Sequence, residues 1–227
     1  MNQFADFLVW YLAFVFSTTC HEAAHALIAR RGGDDTAYAL GHVTLDPMPH
    51  IRREPFGMVL VPIISFFQLG WMVGWASVPY DPHWGARYPR RWAAMSLAGP
   101  ATNFLLAIAA LVLIRVLSSA GVLHLTYAGA RLPLDGDFSS PLGALASLLS
   151  AMLQLNVILG LYNLIPVPPL DGAAVVEGFG PPGVRSFYER ARHNPMLQLL
   201  GLLAAWWVFP SLLKPVFRFV NLLLLAG

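Results

Sequence analysis

Apolar segments long enough to cross a bilayer recur along the whole of this chain, and they restrict its fold before any motif is considered. A spanning helix needs roughly 20 mostly apolar residues. Phe4–Ala29, Phe56–Val78, Trp92–Leu117 and Leu142–Ile165 reach that length; Met196–Phe209 and Leu212–Leu225 follow, parted by Pro210 and Lys214-Pro215. Only 11% of the 227 residues are charged, against about 25% in a soluble domain, so polar side chains cannot cover the surface. The solvent of such a chain is lipid, where backbone N–H and C=O groups must pair internally and helices are the default. The expected fold is an all-α polytopic membrane protein with about five to six transmembrane or re-entrant helices. The short alternating segment Gly41–Leu45 adds a small membrane-associated β element. Residues 1–227 read as one integral membrane domain, with a core over about 4–172 and C-terminal helices over about 196–226.

Thirteen Arg and one Lys against twelve acids leave a net charge of +2, too small and too scattered for a nucleic-acid partner. The single Cys20 excludes an intramolecular disulfide. No basic residue precedes the first apolar run and no small-x-small site follows it, so it reads as a span, not a removable signal peptide. Basic residues gather on the cytoplasmic side of membrane proteins. Arg30, Arg31, Arg52 and Arg53 follow the first run, Arg87, Arg90 and Arg91 the second, and Arg185, Arg190 and Arg192 the fourth. Between the third and fourth runs stands only Arg131, beside Asp135 and Asp137. If every run crossed, two successive loops would be strongly basic on opposite faces. The conflict vanishes if Phe56–Val78, interrupted by Pro62, Gly70 and Gly74, enters and leaves on one face as a re-entrant hairpin; the alternative is a full span with one misplaced Arg cluster.

Near the end of the first run stands His21-Glu22-Ala23-Ala24-His25. Helical residues four apart stack roughly 5–6 Å apart at Cβ, so two imidazoles can grip one zinc ion at about 2.0–2.1 Å each. Glu22 projects from an adjacent position, where it reaches water without ligating. This division of labour fits a metalloprotease, in which zinc lowers the pKa of water and polarises the scissile carbonyl while the glutamate relays the proton. The same pattern arises by chance on exposed helices of soluble proteins. Here it lies between Leu8–Leu12 and Ala26–Ile28, inside an apolar span, where an ionisable residue costs at least ~2.5 kcal/mol. Three such residues in five positions need a compensating function, and a metal supplies one.

A catalytic zinc commonly takes three protein ligands and leaves one position open. Asp6 lies about four turns before His21, too far by helix rise. Asp34, Asp35, His42, Asp46 and His50 occupy the polar segment after the first run, and Asp171 follows the prolines that stop the fourth. A carboxylate on such a broken end can turn toward the bundle, at the cytoplasmic depth of His21 and His25. That agreement favours Asp171.

Three motifs occur in order: His21-Glu22-Ala23-Ala24-His25, Gly99-Pro100-Ala101-Thr102-Asn103, and Asn163-Leu164-Ile165-Pro166-Val167-Pro168-Pro169-Leu170-Asp171-Gly172. Together they resemble the site-2 proteases, zinc enzymes that cut transmembrane helices. Gly41–Pro47 and Gly74–Pro79 are similar to segments of that family's compact branch, and no stretch is long and polar enough for a PDZ or CBS domain. The resemblance implies one zinc per chain on His21, His25 and Asp171, with Glu22 as catalytic base. It also implies a multi-pass protein of a prokaryotic cell membrane, a site reached from the cytoplasmic side, and a transmembrane protein as substrate, unwound before cleavage. For Asn103 and Asn163 two roles stay open: positioning substrate, or bonding a neighbouring broken backbone as buried amides must.

Two rival classes bury the same residue types. A membrane metal transporter would distribute ligands along a pathway, whereas here they gather at one depth. A catalytically silent metal-binding homologue would keep the ligands without turnover, and the intact Glu22 argues against it. His42 and His50 read as polar residues at the membrane edge, and Cys20 as an inert buried thiol. Trp71, Trp75, Trp84 and Trp92 read as interfacial anchors.

Overall fold

A computed structural model describes residues 3–123 and 140–225, so the Arg131 segment of the charge argument lies outside the described residues. In chain order the helices are α1 (Gln3–Arg31), α2 (Thr36–Ala39), α3 (Pro47–Arg53), a π-helical turn (Phe56–Leu60), α4 (Val61–Leu69), α5 (Pro82–Arg87), α6 (Pro89–Ser119), α7 (Pro141–Asn163), α8 (Asp171–Phe179), α9 (Pro182–Arg192) and α10 (Pro195–Leu225). Four of them, α1, α6, α7 and α10, are long and apolar enough to cross a membrane. The shortest, α7 with 23 residues, is roughly 34 Å long, which covers a hydrocarbon core of about 30 Å. Leu8, Leu12, Phe16, Leu105, Ile108, Leu203 and Trp207 face outward on these helices. An apolar exterior of this extent has lipid as its solvent, and the chain is an integral membrane protein.

Helix α6 stands at the centre, packed against α1, α7 and α8. Small side chains make that possible: Ala107 and Ala110 of α6 meet Ala146 of α7 in a buried cluster that also takes in Val220 and Leu224 of α10, and small contacts let helix backbones approach closely. A second cluster joins Phe7 and Phe14 of α1, Phe66 of α4, and Ala151 and Leu155 of α7. Both apolar runs at the C-terminus form one helix, α10, with Pro210 and Pro215 inside it. Each proline removes one backbone bond, which a membrane helix accommodates without ending.

Residues 54–77 form a hairpin. The π-helical turn and α4 make one short apolar helix, Phe56–Leu69, roughly 21 Å long and too short to span. Gly70, in the left-handed region at φ 76°, reverses the chain where a side chain would be strained. The return arm is extended: Val73 N donates to Ser65 Oγ at 2.9 Å, Trp75 N to Gly57 O at 3.1 Å, and Ser77 Oγ to Glu54 Oε1 at 2.5 Å. Both ends of the segment therefore lie side by side, as a re-entrant element requires.

No strand occurs among the described residues, so the expected β element at Gly41–Leu45 is corrected to a turn. Gly41 takes φ 77°, His42 N donates back to Ala37 O, and Asp46 accepts from Met48 N to cap α3. The His42 N–H is thereby spent on the preceding turn and lost to a strand ladder. Asp81 caps α5 in the same way through His83 N; in both cases aspartate precedes a proline at the first helical position, where the missing N–H costs nothing.

Candidate active site

His21 and His25 lie one turn apart on α1, both buried, with their Nε2 atoms 2.9 Å from each other. Prolines end α7 at Asn163, and the chain turns through residues 164–170 to place Asp171 as the first residue of α8. A Cβ on Gly172 would stand 2.2 Å from Leu164 O; only glycine lets α8 start this close to the end of α7. Asp171 Oδ2 then lies 3.1 Å from His21 Nε2 and 3.3 Å from His25 Nε2. Among the described residues this is the single group of three His, Cys, Asp or Glu able to share one ion.

Hydrogen bonding on the far side of each ring fixes the hydrogen at Nδ1. His25 Nδ1 lies 2.8 Å from Met95 O, and a carbonyl only accepts, so Nδ1 carries a hydrogen and, in the neutral ring, Nε2 holds the lone pair. His21 Nδ1 lies 2.6 Å from Asn103 Oδ1 and donates to it. In the neutral rings both Nε2 lone pairs thus converge on one carboxylate oxygen. Ligand atoms at about 2.0–2.1 Å from a tetrahedral zinc stand roughly 3.3–3.4 Å apart, and the observed 2.9–3.3 Å is close to that. The donor set, two neutral imidazoles and one carboxylate, fits zinc.

Helix α6 supplies the opposite wall at every fourth residue. Met95 O holds His25, Asn103 holds His21, and between them Gly99 leaves a gap. A Cβ built on Gly99 would lie 2.4 Å from His25 Nε2 and 2.5 Å from His21 Nε2. The glycine of the second motif is therefore required by close approach of α6 to the two imidazoles.

A cavity of about 390 Å³ opens beside this cluster. Glu22, buried, faces it together with Thr18, Trp75, Ser96 and Asn163. Among the described residues the Glu22 carboxylate has no hydrogen-bond partner, which leaves it free for water or substrate. Extended residues 74–78 of the hairpin run along one side, and Glu177 and Arg192, an ion pair stacked over Trp92, line another.

The model of peptidase family M50 matches residues 9–203, across both histidines and Asp171. The chain belongs to peptidase family M50. This is the family of the site-2 proteases. YwhC of Bacillus subtilis is 33% identical over 192 residues, covering 84% of this chain and 78% of its own. Rip2 of Mycobacterium tuberculosis is 30% identical over 199 residues, covering 88% and 68%. Both relatives are provisionally named zinc metalloproteases. No solved structure matches the chain.

Within this M50 fold the other sequence candidates take different places. Asp34 accepts from Thr36 N, Thr36 Oγ1 and Asp81 N. These bonds clamp the α1–α2 turn to the start of α5; they hold its carboxyl below the usual range although burial pushes the other way. Asp35 pairs with Arg30, Asp46 caps α3, and Asp6 stays near the far end of α1. His42 and His50 come together, ring centroids 5.2 Å apart, and are buried instead of edging the interface. Cys20 is a buried free thiol. Trp84 and Trp92 are core residues, packed with Ala29, Met95 and Ala174, and Trp84 Nε1 donates to Gly32 O at 3.0 Å. The M50 motifs did not reveal Thr18, Met95 or Asn156, all of which meet the site or its supports. A signal existed for Met95: it precedes Gly99 and Asn103 at helical spacing, facing histidines of the same spacing.

Proposed function

We propose that this M50 peptidase is an intramembrane zinc metalloprotease that holds its metal with His21, His25 and Asp171 and uses Glu22 as catalytic base. The reading rests on the convergence of two imidazole Nε2 atoms and one carboxylate oxygen within 2.9–3.3 Å. Three such atoms stay this close only with positive charge among them, a proton or a metal cation. Zinc held there supplies the Lewis acid that activates water and polarises the scissile carbonyl. Glu22 takes the proton of the attacking water at its carboxylate and passes it to the leaving amide nitrogen. Asn163, on the cavity wall, positions the substrate backbone, while Asn103 acts on His21.

The substrate is a transmembrane protein cut in or near its spanning segment. The cavity lies among spanning helices, and a helical segment must unwind to offer its peptide bond there. Extended residues 74–78 give the unwound segment a backbone edge to lie against. The basic residues near the end of α1 (Arg30, Arg31, Arg52, Arg53) and the start of α6 (Arg87, Arg90, Arg91) support a site toward the cytoplasmic side of a prokaryotic cell membrane. Residues 1–227 act as one domain, its core over about 4–172, with the C-terminal helix packed on that core. A transport pathway would need further ligands along the membrane, and the described residues hold no second such group.

The test is to purify the wild type and Glu22→Gln, measure bound zinc, and assay cleavage of single-span substrates. Zinc in both proteins with cleavage in the wild type alone supports the reading; equal cleavage, or no metal in either, overturns it.

A further inference from the structure

We propose that Asn156, on α7, is a positioning residue that sets the tautomer of His21 through Asn103. The inference rests on His21 being a zinc ligand. Its substance is the direction of a buried chain of hydrogen bonds across three helices, in which Ser17, Asn103 and Asn156 are all fully buried.

An amide side chain can face either way, so each orientation must be fixed by something that cannot reverse. Met152 O, a backbone carbonyl, can only accept. Asn156 meets it at 2.8 Å, so the atom facing Met152 is Nδ2, and this same Nδ2 donates to Ser17 Oγ at 2.8 Å. Asn156 Oδ1 is therefore turned toward α6, where it accepts from Asn103 Nδ2 at 2.9 Å. With its Nδ2 engaged, Asn103 must present Oδ1 to His21, and an oxygen there accepts from Nδ1–H at 2.6 Å. Only with the proton on Nδ1 is His21 Nε2 bare toward Asp171 and His25. The polarity of one backbone carbonyl on α7 is thus transmitted through two amides to the metal face of the site.

Ser17 is not needed for this direction. Its hydroxyl can both donate and accept, and it gives its own hydrogen to Met152 Sδ at 3.7 Å. Asn156→Leu keeps the volume but removes the lock. Asn103 can then turn over, offer Nδ2 to His21 Nδ1, and move the ring proton to Nε2, where it blocks the metal.

The experiment measures zinc affinity by chelator competition and the His21 tautomer by ¹⁵N NMR of the metal-free protein in detergent. Asn156→Leu is expected to weaken zinc binding by about 10-fold or more and to populate the Nε2–H form, while Ser17→Ala stays near wild type in both. If Asn156 were only helix-to-helix glue, both variants would lose thermal stability with affinity and tautomer unchanged, and that result overturns the proposal. The wild-type spectrum is decisive even where a variant fails to fold: an Nε2–H tautomer at His21 overturns the proposal. Asp171→Ala separates the two levels. Zinc retained there removes the ligand assignment itself, whereas zinc lost there but undiminished in Asn156→Leu removes only the role of Asn156.

Discussion

Gly99 of α6 stands so close to His25 of α1 that a methyl group on it would lie 2.4 Å from Nε2. The two helices meet at the point where the imidazoles turn their lone pairs away from their supports, and glycine alone leaves that point open. Gly99→Ala is expected to displace one ring or the other and reduce bound zinc to a small fraction of the wild-type content. The folded helix content should survive, because alanine is the better helix former by roughly 1 kcal/mol. Metal analysis with circular dichroism checks this; full zinc occupancy in Gly99→Ala would show that the gap has no part in the site.

Glu22 and Asp171 carry the same charge and differ in what they face. Asp171 points at both Nε2 atoms, while Glu22 faces the cavity with no hydrogen-bond partner among the described residues. Their variants should therefore separate binding from turnover. Glu22→Gln is expected to keep zinc and lose cleavage by at least about 100-fold, the usual contribution of a positioned base. Asp171→Ala should lose both. The two proteins are compared by zinc content and by cleavage of a single-span substrate, and the assignment fails if Glu22→Gln is the one that loses metal.

Much of this arrangement is legible from sequence, and the exceptions have a common cause. His21, Glu22 and His25 are legible because their geometry is local to one helix and their cost in an apolar span is high. Asp171, 150 residues away, is reached through the prolines before it and the depth argument. Asn156 is not, because one amide in an apolar run has the same look whether it joins helices or polarises a ligand; its meaning depends on the register of α1, α6 and α7. Gly41–Leu45 alternates over too few residues to specify a strand without a partner. Pro210 and Pro215 look like breaks, yet the spanning helix continues through them. Trp84 and Trp92 fit the composition of an interface and were drawn into the core by Ala29 and Ala174.

Asp34 links the end of α1 to α5, and its charge is what the three donors around it hold. Its folded pKa lies below the ordinary value. The stabilisation is therefore complete above the unfolded pKa of about 3.9 and is lost as pH falls through the folded value. Asp34→Asn should lower the melting temperature at pH 7 by roughly 2–4 °C, the shift that about 1 kcal/mol makes in a chain of this size. That deficit should shrink below pH 4, as the wild type loses the same charge. Thermal unfolding in detergent at pH 7 and pH 3.5 checks it; a deficit equal at both pH values would show that the carboxylate's charge contributes nothing.

The hairpin and the charge pattern make the same demand on topology by independent routes. Trp75 N bonds to Gly57 O and Ser77 Oγ to Glu54 Oε1, so the arms run back to a common level. The basic clusters before and after them call for the same face. Arg52 and His83 flank the hairpin, and both are exposed, so cysteines placed there in a Cys20→Ala background should react with a membrane-impermeant maleimide from one side only. In right-side-out vesicles neither should label, and in inverted vesicles both should. A cysteine at 52 and one at 83 that react from opposite sides would make Phe56–Val78 a full span. The short helix would then have to cross a bilayer that it is roughly 9 Å too short to cross.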